Sequence, residues 1–467
     1  MKFLRKYYGD KAFLKTVLSV AVPIVLQNGI TSFVSALDNI MVGRLSSEAT
    51  SGVAIVNQFM FVFFLVTFGA VSGAGILTAQ YHGAKNVERV RDTFRVKIII
   101  CLIAAAAAFL LFFFLREPLI NSFLTSTDTE IDPELTFRLG KDYLGIILFS
   151  LLPYSLTAAY STTLRETGRP VVPMAASISA VCVNLTLNYL LIFGKLGLPA
   201  LGVKGAAIAT VISRFAELSI LVIWTGKNSA KCPFITGAFR SFRVPKQIVK
   251  KIAMLGAPLM FNEGMWALAI TVRNQCFSRR GLDAVTALSI SAAVTNLLSE
   301  VYFAIGLAIA VIIGNMLGAG KIEEAKEADK KLIRISMTCA VFVAIALAAV
   351  SPFFPRLYET TGTVMKLATF MMLVQAFMTP VYSYANAAYF TLRSGGRVII
   401  TVLFDSVFMW TVSVPVAFIL SYFTDLSIYV IFATAQGSEI LKDVLGFILL
   451  RRGTWARKII KDKETAE

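Results

Sequence analysis

A single carboxylate interrupts the first apolar stretch of the chain. The segment SALDNIMVGR, Ser35 to Arg44, places Asp38 near the end of a stretch that is otherwise typical of a membrane-spanning helix. If this helix leaves the membrane near Gly43, Asp38 lies about five residues, or roughly 7 Å, below the outer end. Because a charge in hydrocarbon is costly, an acid at such a depth is a candidate functional residue.

Three polar residues are predicted to join Asp38. Asn188 near the end of the fifth apolar segment and Thr210 near the start of the sixth are expected at about the same depth. Asn184 lies one helical turn deeper than Asn188, on the same face. A carboxylate among amides and a hydroxyl can take and release a proton, or it can hold a dehydrated Na⁺ through oxygen atoms. The alternative is structural: Asp38 faces headgroup water, and the asparagines bond neighbouring helices.

The composition indicates the class of protein. Of 467 residues, 57% are hydrophobic and only 16% are charged, which is more apolar than a soluble chain. The apolar stretches can each cross a hydrocarbon core about 30 Å thick, and they lack the alternation of membrane β-strands. We therefore predict an all-α integral membrane protein with twelve transmembrane helices, at residues 14–42, 52–80, 96–115, 138–162, 171–193, 203–224, 249–276, 284–316, 331–354, 366–391, 398–421 and 426–450.

The basic residues are predicted to set the orientation in the membrane. The chain has 45 Lys and Arg against 28 Asp and Glu, which gives a formal net charge of +17. If the N-terminus is inside, the inner segments carry roughly three times as many Lys and Arg as the outer loops, and both termini are cytoplasmic. This charge indicates contact with the anionic lipids of the bilayer, not with nucleic acid.

The pattern of reactive residues argues against an enzyme. The five cysteines are scattered, and His82 is the single histidine, so neither a disulfide framework nor a metal site is predicted. The segment GAGK lacks the GxxxxGK[ST] spacing of a phosphate-binding loop. We expect no cofactor, and an ion gradient as the energy source.

The chain contains an internal repeat. Sliding the sequence against itself by one fixed offset, without a gap, aligns Pro23 with Pro258, Asn39 with Asn274 and Gly83 with Gly318. Each half holds six predicted helices, so the halves share one orientation and are related by an axis along the membrane normal. We predict two parallel-repeat six-helix bundles, at residues 1–234 and 235–467. This architecture is typical of transporters that alternate between inward and outward access.

Several segments resemble one known family. VPIVLQNGITSFVSALDNIMVGRL, AQYHGAKN, TLRETGRPVVPM, VNLTLNYLLIFG and LGVKGAAIATVISR, with GNMLGAGK and TLRSGGR in the second half, look like the multidrug and toxic compound extrusion (MATE) family of the multidrug/oligosaccharidyl-lipid/polysaccharide flippase superfamily. The resemblance covers essentially the whole chain. It implies an inner-membrane antiporter that expels bulky organic, often cationic drugs in exchange for H⁺ or Na⁺. We expect it to act as a monomer.

The resemblance also assigns roles to the polar residues described above. Asp38, Asn184, Asn188 and Thr210 match the positions of the family's N-terminal cation site. Some relatives have a second carboxylate where this chain has Asn188. The lower charge here favours H⁺ as the coupling ion, with Na⁺ at Asp38 as the alternative.

The C-terminal half has no acid at the position equivalent to Asp38, which aligns with Arg273. Glu263 on the seventh helix is another candidate for coupling, or for attracting a cationic drug. Relatives with an acid on this helix tend to have it three residues further on, where this chain has Trp266. The alternative for Glu263 is a pair with a basic neighbour.

Other polar and apolar residues complete the prediction. Arg214 with Glu217 and Glu439 with Lys442, each as an i, i+3 pair, are expected to be structural. Asp405 and Glu300 are each candidates for a pair with a cation across the bundle. Candidate substrate contacts are Glu263 and four residues whose aromatic or flexible side chains suit promiscuous binding, namely Phe61, Phe64, Met260 and Trp266. The alternative for the apolar ones is contact with lipid or core.

Two other functions remain open at this point. A flippase for lipid-linked oligosaccharide or polysaccharide requires a strongly basic cavity for pyrophosphate, and Arg273 is the one residue that indicates it. A membrane receptor or channel without coupled transport requires no buried acid. The duplication and the acid at Asp38 favour a coupled carrier.

Overall fold

The computed structural model describes residues 6–124, 132–358 and 360–460. Within these ranges the chain is helical and contains no β-strand. Twelve long helical segments correspond one to one to the predicted spans and confirm the predicted fold class. They are α1 (Lys11–Gly43), α2 (Ser47–Gly83), α3 (Val87–Phe114), α4 (Pro133–Glu166), α5 (Val171–Phe193), α6 (Val203–Lys227), α7 (Lys246–Ser278), α8 (Leu282–Gly318), α9 (Ile322–Val350), α10 (Gly362–Ser394), α11 (Val398–Phe423) and α12 (Ile428–Gly437 with Glu439–Arg451).

Ten of these helices are long and apolar enough to cross a membrane by themselves, and α7 and α12 are the other two. The polar residues Asn262 and Glu263 lower the hydropathy of α7 in its middle. In α12 the helix is interrupted at Ser438, so neither of its two pieces spans a bilayer alone. Both departures from a uniform apolar helix coincide with buried polar groups described below.

Helix ends follow local sequence signals. Asp132 caps α4, where its Oδ1 accepts hydrogen bonds from the backbone N–H groups of Glu134 at 2.9 Å and Leu135 at 3.2 Å, and Pro133 takes the first helical position. Later in the same half, α5 ends before Gly194, whose φ of 65° is left-handed. These signals fix where the polar residues of α5 fall along the helix axis.

The described chain packs as two compact units. The first, here called the N-unit, comprises Leu26–Thr78 and Val87–Met260. Its core contains aliphatic and aromatic side chains of α2, α3, α4 and α6, including Val56, Phe63, Leu144 and Ala207. The predicted division at residues 234 and 235 describes a duplication of the sequence, which spatial packing does not test, and it stays a prediction.

The second compact unit, here called the C-unit, comprises Met1–Val25, Ala79–Asn86 and Phe261–Glu467. Its largest core cluster joins α1, α8, α9, α10 and α11, with Ile24, Ile309, Leu332 and Phe390 fully buried. The beginning of α1 therefore packs with helices from the second half of the chain.

A backbone crossing of α2 and α8 lies within the C-unit. A Cβ atom on Gly83 would overlap the carbonyl oxygen of Asn315, and one on Gly318 would overlap the carbonyl oxygen of Gln80. Glycine is required at both places, because only a residue without a side chain permits two helix backbones to come so close. Gly83 and Gly318 are the residues that the internal repeat makes equivalent.

The end of the described chain forms a strap across the C-unit. In this C-terminal strap, residues 454–460, Trp455 is only 2% exposed. Arg457 donates hydrogen bonds from Nε to the carbonyl oxygen of Gly395 at 2.9 Å and from Nη2 to that of Gly396 at 3.0 Å. Gln80 accepts from the backbone N–H of Ile459 at 2.9 Å. The strap thus connects the end of α10 to the end of α2.

Helix α11 is not a regular α-helix. Two π-helical stretches, Leu403–Val407 and Met409–Ser413, follow its first turn. Such insertions are rare and usually occur at functional sites, since they re-aim side chains. Here the first stretch carries Asp405, which is 9% exposed.

Candidate functional site

The four residues of the predicted cation site converge in the N-unit. Asn188 donates a hydrogen bond of 2.6 Å from Nδ2 to Oδ1 of Asp38, and its Nδ2 is also 3.3 Å from Oδ1 of Asn184. Asn184 in turn lies 3.4 Å from Oγ1 of Thr210. Exchanging the nitrogen and oxygen of the Asn184 amide brings its nitrogen within 3.0 and 3.1 Å of the two carboxylate oxygens of Asp38. The cluster joins α1, α5 and α6.

Helix packing explains why these side chains meet. Asn184 and Asn188 are four residues apart on α5 and therefore share one face. Helix α6 approaches that region closely, because a Cβ on Gly205 would lie only 2.6 Å from the carbonyl oxygen of Leu191. One turn and a half later, the same helix presents Thr210 to Asn184.

Burial and hydrogen bonding limit what the cluster can bind. Asn184 is 5% exposed and Asn188 is 1% exposed, whereas Asp38 is only partly buried. Within the described residues, the buried Oδ1 of Asn188 accepts no hydrogen bond. A buried acceptor without a donor is unfavourable. The arrangement can therefore accommodate an extra proton on the carboxyl group or a small cation among its oxygens.

A second polar cluster in the N-unit was not predicted as a unit. Gln27 donates from Nε2 to Oγ of Ser177 at 2.6 Å, and Ser177 donates to Oε1 of Glu217. Glu217 also pairs with Arg214 at 2.9 Å, which confirms the predicted i, i+3 pair. Arg165 donates to Oε1 of Gln27 at 2.6 Å. The polar Gln27 inside an apolar helix is the sequence signal for this cluster.

The C-unit contains a buried ion pair between α11 and α12. Lys442 donates from Nζ to Oδ1 of Asp405 at 2.6 Å, which confirms the expectation that Asp405 pairs with a cation. Asn262 of α7 donates to the other oxygen of Asp405 at 2.9 Å, and Ser406 donates to Oδ1 of Asn262 at 2.7 Å. All four residues are buried. Three helices thus meet at one charge pair.

The predicted structural neutralisation of Glu439 and Lys442 is confirmed, but each forms its ion pair with a residue of another helix. Lys442 is bonded to Asp405, while Glu439 lies 3.5 Å from Nη1 of Arg273 on α7. The same Nη1 is 3.3 Å from Oγ of Ser413 on α11. Local spacing on a helix identified two charged residues that need partners, but their faces point to different helices. Arg273 is thereby neutralised within the C-unit.

Glu263 is also in the C-unit, where Tyr389 of α10 donates a hydrogen bond of 2.8 Å to its Oε1. The carboxylate is partly buried. Its neighbour Trp266 packs with a small apolar cluster of α7 and α11 that includes Ala269 and Met409. Glu263 therefore has a hydroxyl group as a hydrogen-bond donor, and its surroundings are not purely apolar.

The other candidate substrate contacts are in the N-unit. Phe64 packs on Tyr154 with ring centroids 4.3 Å apart, next to the buried Phe63. Phe61 leaves 52% of its surface exposed, and Met260 leaves 40% exposed. The five predicted contacts are therefore divided between the two units, with Glu263 and Trp266 in one and the remaining three in the other.

Other kinds of site find no support in the described residues. They contain no group of three or more His, Cys, Asp or Glu side chains that could hold a metal ion. A cleft of about 360 Å³ between α1, α8 and α9 in the C-unit is lined by Asp10, Phe13, Met316 and neighbouring residues of α9. It contains none of the candidate residues, so the cation cluster remains the principal candidate.

Comparison with known proteins identifies the family of this chain. The profile of a family described as MatE matches residues 23–190 and 258–423. The two matched segments begin at Pro23 and Pro258, which the internal repeat makes equivalent. The chain is 26% identical over 411 residues to a probable multidrug resistance protein, YoeA, of Bacillus subtilis, with 87% of each chain covered. It is 24% identical over 460 residues to a probable multidrug resistance protein, NorM, of Thermotoga maritima, with 96% of this chain and 95% of the relative covered.

The fold is also found in a solved structure. A Vibrio cholerae MATE transporter, VcmN, in a bent form superposes with a TM-score of 0.83 at 16% identity, with 95% of this chain and 97% of the other covered. The family match covers well over half of the chain and both halves of the repeat. The chain therefore belongs to the MATE family, whose members are membrane transporters and not enzymes.

Proposed function

We propose that this transporter is a proton-coupled antiporter that exports bulky organic, often cationic compounds by alternating access. The observation that carries the proposal is the contact of Asp38 with Asn188 inside a membrane helix of the N-unit. The name multidrug resistance protein, borne by the Bacillus and Thermotoga relatives, supports the substrate class.

The hydrogen-bond pattern supports H⁺ over Na⁺ as the coupling ion. Asn188 directs an N–H group at Asp38, so one carboxylate oxygen is already engaged by a donor instead of being free for a metal. The unused Oδ1 of the same amide can accept the hydrogen bond that a protonated carboxyl group donates. One carboxylate with neutral neighbours also binds Na⁺ less tightly than two would.

In the proposed cycle, Asp38 carries the proton that the transporter imports. Protonation removes the charge of the carboxylate and changes its hydrogen bond to Asn188 from accepted to donated. The two states therefore favour different arrangements of α1 against α5. A substrate that binds only one of these arrangements is thereby coupled to the proton.

Substrate contacts are proposed at residues of both units. Glu263 offers a carboxylate to cationic groups, and Tyr389 orients it through a 2.8 Å hydrogen bond. Phe61, Phe64, Met260 and Trp266 offer aromatic or flexible apolar surface, which suits ligands of varied shape. Loss of the carboxylate in Glu263→Gln is expected to weaken export of cations more than export of neutral compounds.

The setting of the protein is proposed from its charges. Basic residues are concentrated in the segments predicted to be inside, so we place both termini in the cytoplasm and the chain in the cell inner membrane. We propose that the monomer is the functional unit, since each chain carries its own cation cluster.

A flippase for lipid-linked sugars gains no support from the charges of the C-unit. The Arg273 side chain, the one residue that indicated it, is 3.5 Å from a carboxylate oxygen of Glu439. A paired guanidinium attracts pyrophosphate less than a free one. A channel likewise gains no support, since a channel requires no acid that couples an ion to a substrate.

The test is dye transport in proteoliposomes. A pH gradient and a Na⁺ gradient are imposed separately, and export of a fluorescent cationic dye is measured for the wild type, Asp38→Asn and Asp425→Asn. Asp425 is exposed between α11 and α12 and serves as a matched acid-to-amide control. We expect the pH gradient alone to drive the wild type and Asp425→Asn, and Asp38→Asn to be inactive although folded.

Other outcomes of this assay are equally informative. Transport driven only by the Na⁺ gradient contradicts proton coupling, and undiminished transport by Asp38→Asn contradicts the site. No dye movement under either gradient contradicts the antiporter and favours the flippase.

A further inference from the structure

The connection between α6 and α7, residues 228–245, is folded against the N-unit. Arg95 of α3 donates from Nη2 to the carbonyl oxygen of Gly237 at 2.8 Å and from Nε to that of Ala238 at 2.9 Å. Arg169 donates from Nε to the carbonyl oxygen of Lys231 at 2.9 Å. These bonds attach the connection at two separate points, so its surface has a defined shape.

Apolar contacts fix the connection further. Cys232 is 1% exposed, and Phe234 is 2% exposed, with its ring edge-on to that of Phe94 at 5.3 Å between centroids. Ala238 is fully buried. One side of the connection therefore forms a small core with the beginning of α3, and the other side faces away from it.

The outward side carries neighbouring aromatic and basic residues, of which Phe239 also meets the ring of Phe94 edge-on at 6.3 Å between centroids. In the segment FRSFR, residues 239–243, Phe239 is 53% exposed and Phe242 is 46% exposed, and their ring centroids are 6.1 Å apart. Arg240 and Arg243 are also exposed. Exposed phenylalanine side by side in water is unfavourable, and this indicates that the surface has an occupant.

The charge of this surface is entirely positive. Residues 225–251 contain no Asp or Glu. Six exposed basic side chains of the segment form no ion pair with any described carboxylate, namely Lys227, Lys231, Arg240, Arg243, Lys246 and Lys250. In contrast, the exposed Lys321 and Lys330 near the start of α9 pair with glutamates at 2.8 Å. These unpaired positive charges are therefore able to bind an anionic partner.

We propose that the FRSFR surface binds the anionic headgroups of the bilayer leaflet next to it. Phe239 and Phe242 lie in the interfacial region, and Arg240 and Arg243 contact lipid phosphates. The connection joins two membrane-spanning helices, so it is held at the membrane face, where lipid is the partner at highest local concentration. The proposal rests on the cytoplasmic placement of this connection, since that leaflet carries the anionic lipid.

Simple topology selection is the competing explanation for the basic residues. The positive-inside rule requires Lys and Arg in the connection, but it requires neither exposed phenylalanine beside them nor a folded surface. The combination of a fixed backbone, two neighbouring aromatic rings and two unpaired guanidinium groups is what a lipid-binding surface needs.

The experiment is a lipid titration of the full-length protein in a neutral detergent. Phosphatidylglycerol and phosphatidylcholine are added separately, and the binding constant is obtained from the rise in unfolding temperature at each lipid concentration. The variants are Arg240→Gln with Arg243→Gln, Arg240→Lys with Arg243→Lys, and the control Lys321→Gln with Lys330→Gln. The control removes the same charge from cations that already have partners.

We expect the double glutamine variant at residues 240 and 243 to bind phosphatidylglycerol about 30-fold more weakly at low salt, given roughly a fivefold effect for each basic residue near the surface. The lysine variant and the control should stay within about threefold of the wild type. Phe239→Ser with Phe242→Ser should weaken binding of both lipids.

Three results would overturn the proposal. In the first, the double glutamine variant binds phosphatidylglycerol as well as the wild type does. In the second, it and the α9 control lose equal affinity, so that only net charge matters. In the third, inorganic phosphate alone produces the same stabilisation, and the surface is a site for free phosphate. None of these depends on whether Asp38 couples transport to protons.

Discussion

Gly83 and Gly318 occupy equivalent places in one helix crossing. Gly83 lies against the carbonyl oxygen of Asn315, three residues before Gly318, and Gly318 lies against that of Gln80, three residues before Gly83. The internal repeat thus makes the two halves of this contact equivalent to each other. Duplicated segments that pack on one another generate such a contact, because each helix presents the same motif to its partner.

The crossing predicts a sharp effect of small substitutions. Gly83→Ala and Gly318→Ala each place a methyl group on a backbone oxygen, so we expect the free energy of unfolding to fall by about 1–3 kcal/mol. Gly226→Ala in α6 has no atom within 4 Å of the new Cβ and is the matched control. Thermal unfolding in detergent measures the difference. Equal unfolding temperatures for Gly83→Ala and Gly226→Ala would show that the two helices can move apart at the crossing without a loss of stability.

A second carboxylate at the cation cluster should change the coupling ion. In Asn188→Asp, two acids face each other where Asn188 now donates to Asp38 at 2.6 Å. Two neighbouring carboxylates bind a cation more strongly and lose both protons less readily. We expect dye export in proteoliposomes to become responsive to a Na⁺ gradient. A variant that remains active and ignores Na⁺ would contradict this account, while Asn188→Leu tests the loss of the donor alone.

Removing one partner of the buried pair of Asp405 and Lys442 should lower the free energy of unfolding more than removing both. Lys442→Met leaves Asp405 without its cation, and we expect a loss of about 3–5 kcal/mol in the free energy of unfolding. The double variant with Asp405→Leu should recover much of that loss, since no unpaired charge is left. Chemical denaturation of the wild type, Lys442→Met, Asp405→Leu and the double variant measures the coupling. Additive effects of the two substitutions would refute a direct interaction.

The C-terminal strap should stabilise the C-unit. Trp455 is 2% exposed, and Trp455→Ala removes a large buried side chain, for which we expect a cost of about 3–5 kcal/mol. Trp224, which is partly exposed at the end of α6, serves for comparison as Trp224→Ala and should cost less. Limited proteolysis at the C-terminus checks the location of the change: early cleavage of Trp455→Ala only near residue 454 is expected, and cleavage spread over the whole chain is not.

The helices could be predicted from the sequence because their signals are local. The predicted span 171–193 coincides with α5, since Pro170 and Gly194 mark its ends. Helix α4 begins at Pro133, before the predicted span 138–162, because its polar first turn is capped by Asp132 and needs no apolar residues. Apolar length locates the part of a helix in the membrane, and capping decides where the helix begins.

The candidate sites could be predicted only in part. Asp38, Asn184 and Asn188 were found because depth and helical spacing bring them together. The bond of Asn262 to Asp405 joins residues 143 positions apart, and no periodicity identifies such a pair. The partners of Glu439 and Lys442 were missed for a related reason. Spacing places the two on one helix, but their partners Asp405 and Arg273 lie on two other helices.

The C-terminal strap has a consequence for the order in which the protein is completed. The backbone N–H of Ile459 and its acceptor Gln80 are separated by 379 residues. At about 5–20 residues per second, the ribosome delivers Ile459 roughly 20–75 s after Gln80. During that interval the buried amide of Gln80 lacks its final partner. A chain truncated before residue 454 never supplies the donor N–H of Ile459, so an acceptor of the buried Gln80 side chain stays without this hydrogen bond.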